Sequence, residues 1–94
     1  MLIEIKKLSV DNKGFKRNVS LVSMFVNPAN IISLSDYYGA EKFLKEENSE
    51  LAGESFCVVR ISLGAETEEI IVHGTSKHLC SKFSTLEKRR VLNG

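Results

Sequence analysis

Val26-Asn27-Pro28-Ala29-Asn30-Ile31-Ile32 decides how this chain is arranged. It holds the only proline among 94 residues. Pro28 lacks a backbone N–H and has a fixed φ, so it suits neither a central strand nor a helix interior. It also pushes Asn27 toward extended backbone. The chain must corner here. The corner brings the apolar segment before it together with the one after it.

Upstream of the corner, residues 19–26 are rich in β-branched and apolar side chains and predict a strand. Leu21 and Phe25 share one face; Val22, Met24 and Val26 share the other. Apolar residues on both faces imply a strand covered on both sides. Residues 2–10 predict an earlier strand with Ile3 and Ile5 on one side, and Asp11-Asn12-Lys13-Gly14 reads as the turn between them. Downstream, residues 31–38 predict a third strand, with Ile32 and Leu34 alternating with Ser33 and Ser35.

The character then changes. Residues 39–55 form an acidic excursion, read as a short helical or mobile insertion. Helix formers fill residues 40–48, where Phe43 and Leu44 must supply the packing that so short a helix needs. Residues 56–63 predict a fourth strand, with Cys57, Val59, Ile61 and Leu63 on one face. Gly64-Ala65-Glu66-Thr67 reads as a hairpin turn into an antiparallel fifth strand over residues 68–73. Thr75 or Ser76 can cap a helix running to about Arg90. Leu79, Phe83 and Leu86 form its apolar stripe.

These elements predict a single α+β domain over residues 1–94. Its sheet is curled and mostly antiparallel, with about five strands, and the C-terminal helix covers one face or end. The expected core is Ile3, Ile5, Leu21, Val22, Phe25, Ile32, Leu34, Val59, Ile61, Ile71, Leu79 and Phe83. A hydrophobic fraction of 43% and a charged fraction of 27% belong to an ordinary globular chain. No apolar run approaches the roughly 18 residues of a membrane span. The first charges fall among and after the apolar residues of the N-terminus, unlike a secretory leader. The expectation is a cytoplasmic protein without a membrane partner.

Net charge is +1, unevenly spread. Residues 1–35 carry five basic and two acidic side chains, residues 36–70 three and nine, and residues 71–94 five and one. A basic head and tail around an acidic middle suit association with a partner or with a second copy. Solvated faces that balance each other would look the same.

Few chemistries have the residues they need. Cys57 and Cys80 read as thiols of an intracellular chain, not as a disulfide. With His73 and His78 they lack the spacing of a zinc knuckle, so no metal is expected. Cys80 and His78 stand two apart on a helix and project differently, which argues against a cysteine nucleophile. The glutamates lie in a loop and a turn, and do not converge from an apolar pocket. The glycines are scattered singly, so there is no phosphate loop and no cofactor is expected.

Val26, Asn27, Pro28, Ile31 and Leu34, followed later by Ile70, Val72, Ser76, Leu79 and Phe83, form a pattern that resembles the FlbD-like flagellar proteins. These are small motility-associated bacterial domains with an asparagine-proline corner and a terminal helix. The similarity spans residues 15–35 and 56–85 and leaves 37–55 as an insertion. The resemblance implies neither enzyme activity nor cofactor nor catalytic residues.

The functional expectation is a non-enzymatic adaptor or inhibitor that binds another protein, or a second copy of itself. Tyr37, Tyr38, Phe43, Glu46 and Glu47 are the candidate partner-binding residues, because aromatics flanked by charge suit an interface. The alternative is a nucleic-acid-binding regulator using Lys6, Lys7, Lys16, Arg17, Lys88, Arg89 and Arg90. A net charge near neutrality makes this the weaker reading. A small hydrolase or transferase would need a pocket lined by His73, His78 or Cys80.

Overall fold

Two glycines with positive φ set the two hairpins. Gly14 (φ 63°) and Gly64 (φ 76°) each begin a two-residue turn, where a left-handed backbone matches the twist of the strands. The turns are tighter than the sequence suggests. Lys13 pairs with Lys16, and Leu63 with Glu66, so Asp11 to Lys13 and Glu66 to Thr67 belong to strands.

The structure, a computed structural model, describes residues 2–47 and 49–92, without the side chains of residues 13, 16 and 85–92. Its elements are β1 (Ile3–Lys13), β2 (Lys16–Val26), a 3-10 turn (Pro28–Asn30), β3 (Ile31–Tyr37), α1 (Ala40–Glu46), β4 (Phe56–Leu63), β5 (Glu66–His73) and α2 (Ser76–Leu92). The strands form one antiparallel sheet in the order β2-β1-β5-β4-β3.

The proline corner does more than turn the chain. Asn27 accepts a hydrogen bond from the Ala29 N–H at 3.0 Å, and Pro28 opens the 3-10 turn. The segments it joins, β2 and β3, are not neighbours. They are the two edges of the sheet. Four inter-strand spacings would separate the edges of a flat sheet by about 19 Å. The link from Val26 to Ile31 reaches at most about 18 Å when extended, and a 3-10 turn shortens it. The sheet is therefore curled at this end. It is not closed, since β2 and β3 share no ladder.

Side chains alternate across the sheet and build a cluster on each face. Ile3, Ile5, Val26, Cys57, Val59, Ile61, Ile70 and Val72 pack with Leu79 and Phe83 of α2. On the other face Ala40, Leu44 and Phe56 are buried, with Leu8, Val19, Leu21, Tyr37, Phe43, Leu51, Ala52 and Ile71 against them. β2 gives Val26 to the first cluster and Val19 and Leu21 to the second, but neither of its faces is fully covered, contrary to what its pattern implies.

Three expected core residues are exposed: Val22, Phe25 and Ile32. Val22 and Phe25 lie on an edge strand. α2 packs over β3 and β4, leaving Val22 bare, and the arm around α1 reaches Val19 and Leu21 but not Phe25. Ile32 sits at a register shift in β3, where Ile31 and Leu34 take the inward positions instead.

Residues 39–55 are an arm with a defined anchor. α1 has seven residues and would not stand alone. Leu44, 1% exposed, and Ala40 fix it to the sheet. Gly39 precedes it because the Tyr37 ring lies against the backbone there. A Cβ at 39 would stand 2.5 Å from the Tyr37 hydroxyl oxygen.

Candidate partner-binding surface

The arm carries five of the twelve acidic residues and has a different surface on each flank. On the β3 side, Tyr37 ends its strand half-buried and Tyr38 follows it, 77% exposed. Beside them lies a cavity of about 250 Å³ lined by Asp36, Glu41, Glu54 and Phe56 as well as the two tyrosines. On the β2 side, a groove of about 420 Å³ separates Arg17 to Leu21 from Glu47, Ser49, Glu50 and Leu51.

Local bonds hold the first flank in shape. Asp36 Oδ1 accepts from the Ser76 N–H at 2.9 Å, so a β3 carboxylate closes the first turn of α2. Thr75 Oγ1 accepts from the His78 N–H at 3.1 Å and caps the same helix, as its sequence predicts. The Ser76 backbone N–H, followed by its hydroxyl, lowers the Asp36 pKa below its ordinary 3.8, against a small opposing effect of burial. His73 Nε2 lies 3.3 Å from Glu54 Oε2, with its ring edge-on to Phe56 at 5.7 Å between centroids. Glu41 pairs with Lys45 at 3.1 Å.

The expected site residues divide between the flanks. Tyr37 and Tyr38 line the cavity. Phe43 faces the other way, with the Arg17 guanidinium 5.5 Å from its ring centroid. Glu47 rims the groove, and Glu46 is exposed on the last turn of α1. Neither Glu46, Glu47 nor Glu50 has an ion-pair partner among the described residues. Sequence reading missed the part played by Asp36, whose partner is 40 positions away. It also missed the groove, which depends on β2 being an edge.

The basic candidates are dispersed. Lys6 and Lys7 are adjacent on β1 and project to opposite faces. Lys6 Nζ donates to Ser23 Oγ at 2.6 Å and lies 3.8 Å from Glu4. Arg17 is turned onto Phe43. The side chains of Lys16, Lys88, Arg89 and Arg90 lie outside the described residues.

Both cysteines are free thiols. Cys57 is buried, and burial, assisted by the charge of Asp36, pushes its thiol up to about 11. Cys80 is exposed on α2. Among the described residues no group of His, Cys, Asp and Glu is arranged to hold a metal ion, and no helix is long and apolar enough to cross a membrane.

In comparisons with known proteins, no family model, no curated protein and no solved structure matches this chain. The positions that carry the FlbD-like resemblance are mainly structural. Val26, Ile31, Leu34, Ile70, Val72, Leu79 and Phe83 all pack in the cluster beneath α2.

Proposed function

We propose that this chain is a non-enzymatic adaptor or inhibitor that acts by binding another protein through its acidic arm. The observation that carries the reading is Tyr38, a tyrosine left 77% exposed beside a cavity of about 250 Å³. A large aromatic with a polar tip loses little conformational entropy on burial, which is why tyrosines recur as interface anchors. Tyr38 stands at the base of the arm, which Leu44 and Ala40 fix to the sheet. A fixed anchor costs less to bind than a mobile one. The basic residues support a nucleic-acid surface less well, because Lys6 and Arg17 are engaged within the chain and Lys7 faces away from Lys6.

Affinity capture with the full chain and its Tyr38→Ala variant, read by mass spectrometry, tests this. Tyr38 is exposed, so the fold should survive its removal. Proteins retained by the parent chain should be lost from the variant. Equal retention by both would overturn the reading.

A further inference from the structure

We propose that the outer edge of β2 receives an extended, basic segment of the partner as a sixth strand. This rests on the reading that the chain binds a protein, and it names the class of segment recognised. β2 is hydrogen-bonded to β1 on one side and, among the described residues, to no strand on the other. The two-residue turn at Gly14-Phe15 sets the phase of the ladder, because the residues flanking such a turn exchange backbone hydrogen bonds. Lys16, Asn18, Ser20, Val22 and Met24 therefore point their N–H and C=O groups at β1. Arg17, Val19, Leu21, Ser23 and Phe25 point theirs outward.

Alongside the outward groups of Arg17, Val19 and Leu21 runs the groove of about 420 Å³. The edge is held firm from beneath, since the Val19 and Leu21 side chains pack against the cluster anchored by Leu44. Long unpaired edges are templates for strand addition unless charge, proline or a covering element blocks them. Here the only charges on β2 lie at its hairpin end, and Arg17 is turned onto Phe43.

The far wall decides the occupant. Glu47 and Glu50 are exposed there without ion-pair partners among the described residues. Every second side chain of an added strand would face that wall. The occupant is thus an extended peptide with Lys or Arg at alternate positions. Its backbone satisfies the edge, and its cations answer the two glutamates.

Selection of a phage-displayed random peptide library on the full chain tests the proposal. It is followed by hydrogen exchange of the nitrogen-15-labelled protein with the best peptide bound. Selected peptides should carry Lys or Arg at alternate positions. Exchange at the Val19 and Leu21 N–H groups should slow by at least about tenfold, with Ser20, already paired to β1, unchanged. The Glu47→Lys, Glu50→Lys double variant should bind at least about tenfold more weakly, or 1.4 kcal/mol. Recovery of no peptide, of peptides without alternate basic residues, or equal binding by the double variant would overturn it. So would a free chain that sediments as a dimer with Val19 and Leu21 already protected, because the edge would then belong to a second copy. Capture that depends on Tyr38 is read separately, so it can stand if strand addition fails.

Discussion

Asp36 and Cys57 face each other across the β3–β4 ladder and report opposite ends of the pH scale. The Asp36 carboxylate is stabilised in the folded state by the Ser76 N–H, so its pKa lies below the ordinary 3.8. A group depressed on folding adds stability above its unfolded pKa, and that stability is lost as pH falls through the folded value. Asp36→Ala should therefore lower the urea midpoint at about pH 7 and narrow its gap from the parent chain at about pH 3. An equal gap at both pH values would show that the charge does not matter. Cys57 behaves in the reverse sense. Its thiol rises from 9.0 to about 11, so folding stability should decline across that interval as the unfolded chain ionises first. The same burial predicts unequal reactivity. At about pH 8 a thiol reagent should modify Cys80 in the folded chain and reach Cys57 only on unfolding, because the thiolate is the reacting form. Mass spectrometry of the adducts separates the two sites; prompt double labelling of the folded chain would contradict this.

At the scale of elements, α1 shows how a weak helix is held by one side chain. Leu44 is its deepest residue, and Phe56 and Ala40 close around it. Leu44→Ala should cost roughly 2–5 kcal/mol in urea unfolding, the range for emptying a buried leucine site. It should also speed amide exchange in α1 more than in β4, since β4 lies in the sheet and has a second cluster on its other face. Uniform exchange changes would mean that the arm and the sheet unfold as one. The elements themselves were largely legible. Period-two and period-3.6 patterns mark the five strands and α2, because the face a side chain takes follows from its place along the element. What local pattern does not carry is position within the sheet. Val22 and Phe25 have the composition of core residues and are exposed because β2 is an edge. Ile32 alternates as a core residue should, and the register shift beside it transfers its place to Ile31. For the surface, Tyr37, Tyr38, Phe43, Glu46 and Glu47 were readable as a charged aromatic segment. Their division between two flanks was not, since it follows from where Leu44 seats the helix between β2 and β3.

The whole molecule is elongated, 52 × 28 × 18 Å, with a Cα radius of gyration of 14.9 Å. A compact chain of this length would have about 12 Å. The β1–β2 hairpin explains part of the excess. β1 meets β5 at Lys7–Val72, yet its pairing with β2 continues to Lys13–Lys16. Beyond Val10 and Val19 the hairpin is a two-stranded ribbon, steadied by the contact of Arg17 with Phe43. Isolated ribbons of this kind are marginal in water, so the tip should open locally without unfolding the rest. Phe15 lies fully exposed in that tip. Chymotrypsin should therefore cut first after Phe15. Tyr38 and Phe25 are also exposed, but Phe25 sits in a paired strand and Tyr38 in a tie fastened by the Leu44 anchor. The two fragments should stay together after the cut. Ile3 and Ile5 remain buried against Val26 and Val72, and the pairs from Ile3–Val26 to Val10–Val19 remain intact. Size-exclusion chromatography should then give one native-sized peak, resolved into two fragments only in denaturant. A first cut at Phe25 or Tyr38, or release of the N-terminal fragment in native buffer, would show that the hairpin tip does not open independently of the sheet.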